Sequence, residues 1–287
     1  MTTNNIPEIK IDALLPQDMA LKAETIGVNK AKAPTSQLLA LSILAGAFIA
    51  LGAIFATVVA TGTAASMPYG ITRLLMGIVF SLGLILVIIG GAELFTGNAL
   101  IIMAWADKKI TTLALLRNWL IVYIGNFLGS IGTAAFILLS KQYVFSKGEM
   151  GKMMLSIAVN KTQLGFLEAV VSGILCNALV CLAVWLTFSA RSSTDKILCI
   201  IFPISAFVAA GFEHSVANMY FISIGLLIKM FDPAFAASTG LDLTNLTWGT
   251  FFIRNLLPVT IGNIIGGTVL VGAMYWGIYL KNRVIKQ

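Results

Sequence analysis

Six stretches of this chain, at roughly 37–61, 70–106, 112–139, 164–188, 197–230 and 251–279, are apolar over lengths that a soluble domain has no means of hiding. A helix needs about 20 apolar residues to cross the hydrocarbon of a bilayer, and each stretch supplies them. Composition agrees: 58% of the 287 residues are hydrophobic and 11% are charged, against about 25% charged in soluble domains. The mean hydropathy of +0.93 belongs to the whole chain, not to one anchor on a polar body. The expected fold is an all-α, polytopic membrane protein with six spans. The second and fifth are too long for single helices and are interrupted inside by polar residues.

The same residues exclude other classes. The net charge of +7 comes from Lys and Arg in tails and loops, which gives no basic face for nucleic acid. Cys176, Cys181 and Cys199 lie in apolar runs, where a thiol behaves as a small hydrophobe. One histidine and three scattered cysteines make neither a haem pair nor a zinc site, and no nucleophile–base pair is evident, so no metal, cofactor or enzymatic activity is expected. Residues 1–35 mix Lys10, Lys22, Lys30 and Lys32 with Glu8, Asp12, Asp18 and Glu24 and lack the apolar core of a signal peptide. Within them, 9–32 reads either as an amphipathic segment lying on the cytoplasmic membrane face or as a solvated tail. With six spans, twelve of the Lys and Arg residues fall on the side of the termini and seven on the other, which places both termini in the cytoplasm. The expected organisation is a cytoplasmic segment at 1–35, a channel domain at 36–280 and a tail at 281–287.

The halves resemble each other. Residues 117–129 align without gaps on 254–266 with eight of thirteen positions identical, among them Asn118 with Asn255, Gly125 with Gly262 and Asn126 with Asn263. The interruptions match as well: Gly91, Glu93 and Asn98 correspond to Gly211, Glu213 and Asn218. Each half, about 37–139 and 164–280, therefore runs whole span, broken span, whole span. Three spans is an odd number, so the second copy enters the bilayer from the opposite face, an inverted 3+3 repeat. Non-helical backbone at membrane depth persists only where protein or a water-filled cavity satisfies it. A half-helix N-terminus there presents free N–H groups and a positive dipole end, which favour anions. Two matched breaks point to a transport pathway rather than to a structural kink.

His214, the only histidine, sits at the second break. An intramembrane ionisable group is a functional candidate by default, and a neutral imidazole both donates and accepts. A core histidine satisfied by backbone is the plainer alternative, and the matched break weighs against it. Thr96 sits at the first break; its hydroxyl either faces His214 or caps the half-helix that starts at Gly97. Glu93 and Glu213 are carboxylates at matching sites, expensive in a bilayer. With Asn98 and Asn218 they are expected to be structural polar groups, satisfied by loop N–H groups or helix ends away from the anion path. Glu168 reads as structural too. Gly125/Gly129 and Gly262/Gly266 have the spacing that lets membrane helices approach closely.

Glu93-Leu94-Phe95-Thr96, the run from Gly211 through Glu213 and His214 to Asn218, and the run from Pro258 to Gly267 resemble the bacterial formate/nitrite transporter family, in that family's order and over about 14–282. Leu15-Pro16-Gln17-Asp18-Met19-Ala20, Gly211-Phe212-Glu213-His214 and Leu257-Pro258-Val259-Thr260 are similar to its formate channels. Glu93-Leu94-Phe95-Thr96-Gly97-Asn98 is nearer its nitrite channels. The resemblance implies an aquaporin-like fold in a homopentamer with one pore per protomer, in the bacterial inner membrane. It implies formate as substrate, with nitrite, acetate, lactate and hydrosulfide as further anions, and protons and the lipid bilayer as other partners. It also implies roles: His214 as the central histidine, Thr96 as its threonine and Lys161 as a vestibule lysine. Leu94, Phe95, Phe207 and Val180 would form an outer constriction and Leu84 a cytoplasmic one, with Asn177 and Asn263 as polar groups beside them. By position alone Lys161, at the outer end of the fourth span, reads as a snorkelling lysine.

The mechanism expected from this follows from solvation. An anion crosses an apolar constriction at high cost, and the neutral acid far more cheaply. Lys161 draws the anion in, the apolar gates strip its water, and His214 with Thr96 hydrogen-bonds or transiently protonates it, with flow in either direction. A nitrite or hydrosulfide channel is the nearest alternative. A neutral-solute channel of the aquaporin type would share the repeat but carry paired Asn-Pro-Ala signatures, whereas these breaks end in Gly97-Asn98 and Ala217-Asn218.

Overall fold

The computed structural model describes residues 13–63, 66–281 and 283. Residues 9–12, Lys10 and Lys286, and most of the 281–287 tail therefore lie outside the described residues. Among those described, six helices are long and apolar enough to cross a membrane, and they fall on the six apolar stretches.

Pro16 opens α1 (Pro16–Lys32), where a missing N–H costs nothing. Met19, Ala20, Ala23, Gly27 and Ala31 are buried, so residues 16–32 are a docked helix and not a solvated tail. The first whole span is α2 (Thr35–Ala60) and the next is α3 (Tyr69–Gly90). The short α4 (Gly97–Ala106) opens with a 3₁₀ turn over Gly97–Ile101 and leads to α5 (Thr112–Leu139). The stretch 140–163, between the third and fourth apolar stretches, carries the helix α6 (Glu149–Thr162). Then come α7 (Phe166–Ser189), α8 (Ser193–Ala210), α9 (Ser215–Phe231), the short α10 (Pro233–Ser238) and the long α11 (Trp248–Tyr279). Glu168 caps α7, accepting the Gly165 N–H at 3.3 Å.

Glycine decides how the whole spans pack. A Cβ at Gly129 of α5 would collide with the Ile43 carbonyl of α2, and one at Gly266 of α11 with the Ile174 carbonyl of α7. Removing both side chains brings backbones together where lipid tails offer no competing drive. Helix α11 contains two π turns, Phe251–Leu256 and Gly266–Ala273. Pro258 follows the first, where a widened turn absorbs its missing N–H and its ring.

Helices α3 and α8 end alike. Gly91 and Gly211 both take φ +78°, a left-handed conformation that only glycine adopts cheaply, and the chain leaves the helix there. Helical backbone resumes at Gly97 and at Ser215. The restarts differ in length: α9 has 17 residues, and α4 is a short helix of mixed 3₁₀ and α turns.

Candidate functional site

Each break is held by one asparagine. Asn126 of α5 accepts the Phe95 N–H at 2.9 Å and donates to the carbonyls of Ser42 and Glu93 at 2.8 and 2.9 Å. Asn263 of α11 accepts the Ser215 N–H at 2.9 Å and donates to the carbonyls of Gly173 and Glu213 at 2.9 and 3.0 Å. A side-chain amide has two donors and an acceptor to offer, so one residue satisfies two backbone groups at the break and ties them to a carbonyl within a neighbouring span, Ser42 of α2 or Gly173 of α7.

Around each break lies a second matched cluster. Lys30 of α1 pairs with Glu93 at 2.9 Å. Asn98 donates to Glu93 at 2.8 Å and to Asn118 at 2.9 Å, and Asn118 returns to the Lys30 carbonyl at 3.0 Å. Lys161 of α6 pairs with Glu213 at 2.8 Å. Asn218 donates to Glu213 at 2.6 Å and to Asn255 at 2.8 Å, and Asn255 returns to the Lys161 carbonyl at 2.8 Å. A buried carboxylate is tolerable only when paired and hydrogen-bonded in this way.

These clusters correct two expectations. Glu93 and Glu213 take lysine and asparagine side chains as partners, not loop N–H groups or helix ends, and each lines a cavity instead of standing clear of it. Lys161 belongs to α6 and not to the end of the fourth span, and its charge is matched by Glu213. Lys30, counted only as a tail charge, is its counterpart. The signal was present: Ile26-Gly27-Val28-Asn29-Lys30 repeats as Ile157-Ala158-Val159-Asn160-Lys161.

Two cavities open at opposite ends of α3. One, of about 300 Å³ under α1, is walled by Lys22, Lys30, Leu84, Glu93, Leu94 and Lys196. The other, of about 310 Å³ beside α6, is walled by Arg73, Phe80, Lys161, Phe207, Glu213 and His214. Leu94 thus lies with Leu84 at the α1 cavity and not with Phe207. Phe95 and Val180 are buried but line neither cavity; the Phe95 ring sits edge-on to Tyr123, 4.8 Å away.

Between the breaks Thr96 and His214 meet. Thr96 Oγ1 lies 2.9 Å from His214 Nε2, and both residues are buried. His214 Nδ1 accepts the Ala217 N–H at 3.0 Å and so caps α9. An accepting Nδ1 carries a lone pair, so the ring is neutral with its proton on Nε2, directed at the Thr96 hydroxyl. Thr96 itself has helical φ and ψ and makes no cap, which removes the capping role expected as its alternative. The Thr96 carbonyl accepts from Asn177 Nδ2 at 3.2 Å, and the same amide reaches the Asn263 carbonyl at 2.6 Å. The Phe207 ring stacks on His214 at 5.8 Å, and Phe80 meets Phe207 edge-on at 5.7 Å.

Six apolar spans, a cavity at each end of α3 and one buried polar contact between the breaks give the layout of a polytopic membrane channel. The profile of the formate/nitrite transporter family matches residues 17–277, and this chain belongs to that family. It is 45% identical to the formate channel FocA of Escherichia coli over 95% of this chain and 96% of that one. It is 42% identical to the formate channel FocA of Haemophilus influenzae, over 91% and 93% of the two chains. A solved structure described as a pentameric formate channel with formate bound superposes with a TM-score of 0.80 at 47% identity, over 86% of this chain and 98% of that one.

Proposed function

We propose that the chain is a bidirectional channel for formate and related small monovalent anions, working as a homopentamer with a pore in each protomer. The observation that carries this reading is the Thr96–His214 hydrogen bond, which joins a break facing one cavity to a break facing the other. Formate leaves water at the apolar walls, Leu84 and Leu94 on one side and Phe80 and Phe207 on the other, and meets the Nε2–H and Thr96 hydroxyl between them. These donors compensate part of the cost of carrying an anion through an apolar constriction.

In this reading the halves cross the bilayer in opposite senses, with both termini and the α1 cavity cytoplasmic. The matched Lys–Glu–Asn–Asn clusters at opposite ends of α3 support the inversion. At rest His214 is a hydrogen-bond donor. To hand on a proton it must first gain one at Nδ1 from the cavity and release the Ala217 N–H; the Nε2 proton then passes to the formate oxygen, and the acid leaves neutral. Nitrite, acetate, lactate and hydrosulfide share the charge and the small size that this site asks for.

The test is substrate-resolved flux in proteoliposomes across pH. Formate should pass faster than nitrite or hydrosulfide, with flux rising as pH falls. No formate flux, or faster nitrite or hydrosulfide at every pH, would overturn the assignment.

A further inference from the structure

Resting on that reading, we infer that the charge which gathers anions at each mouth comes from cations outside the matched clusters: Arg73 at the α6 cavity, and Lys22 with Lys196 at the α1 cavity. The two lysines of the clusters are unsuited to the task. Lys30 and Lys161 each hold a glutamate within 2.9 Å, and an ion pair presents little net field to an approaching anion. The walls of the α6 cavity carry two cations and one carboxylate, and those of the α1 cavity three cations and one carboxylate. The surplus in each is the unmatched set.

Among the described residues no carboxylate forms an ion pair with Arg73, Lys22 or Lys196. Arg73 reaches across from α3 to the end of α8, donating to the carbonyls of Val208 and Ala209. Bonds to a helix C-terminus hold the guanidinium in place without neutralising it. It stands at the left-handed Gly211, three residues before His214. Lys22 is fixed in the same manner, donating to the Phe188 carbonyl at 2.8 Å near the end of α7. Burial, and then the Lys196 charge, push the Lys22 pKa below the ordinary lysine value. An anion between the two lysines relieves that repulsion. In the register that pairs Gly91 with Gly211, Arg73 aligns with Ser193 and Lys196 with Met76; in the register that pairs Lys30 with Lys161, Lys22 aligns with Met153. The repeat therefore duplicates the scaffold but not these three charges.

The experiment is formate uptake and release in oriented proteoliposomes at about 0.01 M and about 0.15 M salt, where the Debye length is about 30 and about 8 Å. Wild type should be faster at low salt in both directions. Arg73→Gln should slow low-salt flux from the α6 side about threefold to tenfold, the deficit should shrink at high salt, and Arg73→Lys should restore it. Lys22→Gln with Lys196→Gln should do the same for flux from the α1 side. Salt-independent wild-type flux, wild-type salt dependence in folded Arg73→Gln, or an Arg73→Lys as impaired as Arg73→Gln would overturn the inference. If Arg73→Gln fails to fold, the lysine double variant decides by the same criterion. Absence of wild-type formate flux in either direction would instead overturn the formate reading itself.

Discussion

Asn126 and Asn263 show how much a single side chain carries here. Each bonds two backbone groups at a break and one carbonyl of a neighbouring span, so Asn126→Ala and Asn263→Ala should each destabilise the protein by about 2–4 kcal/mol, read as lower thermal stability in detergent. Wild-type stability in either variant would mean that water substitutes fully. The buried ion pairs make a different prediction. Lys161→Ala leaves Glu213 without its cation, a loss of about 3–5 kcal/mol, and the double variant Lys161→Ala/Glu213→Gln should recover part of it. A double variant no more stable than the single would contradict the pairing. At the α1 cavity, Leu84→Ala should widen the apolar wall and raise lactate flux; unchanged lactate flux in a folded variant would remove Leu84 from the pathway. His214 was legible because it is the only histidine and stands at a matched break. Lys30 showed only through the repeat of 26–30 at 157–161; its pairing with Glu93, 63 residues further along the chain, forms only when α1 folds back.

At the scale of elements, the six spans and the two interruptions were readable because lipid imposes one length and one composition on every crossing. Gly91 and Gly211 marked the helix ends, since a left-handed residue there is inexpensive only for glycine. Helix α6 escaped notice because its 14 residues fall short of a crossing; Met150, Met154, Leu155, Ala158 and Val159 make a buried stripe, with Lys152, Ser156 and Asn160 on the opposite face, the pattern of a surface helix and not of a span. The π turns of α11 were invisible too, because they answer to a proline and to a glycine pair whose consequences depend on the packing partner. That packing gives a direct test. Gly129→Val and Gly266→Val should each separate a helix pair, α2 from α5 or α7 from α11, and yield less folded protein by size-exclusion chromatography. Full recovery of folded protein in both would show that the close approach is dispensable.

The whole molecule should be a homopentamer in which every protomer conducts. A detergent-corrected mass equal to a monomer or dimer would count against it. The repeat duplicates the hydrogen-bonded frame but not the centre, where His214 occupies the place that Leu94 holds in the other half. Only one of the two breaks thus brings an imidazole, and the proposed transport mechanism turns on it. The most direct measurement is formate flux with simultaneous internal pH recording in proteoliposomes, for wild type and for His214→Asn. Asparagine keeps hydrogen-bonding capacity but cannot carry a proton. Wild type should take up formate together with protons at acidic pH, and the folded variant should lose that proton movement while still passing formate down a voltage gradient. Undiminished proton coupling in a folded His214→Asn pentamer would contradict the account.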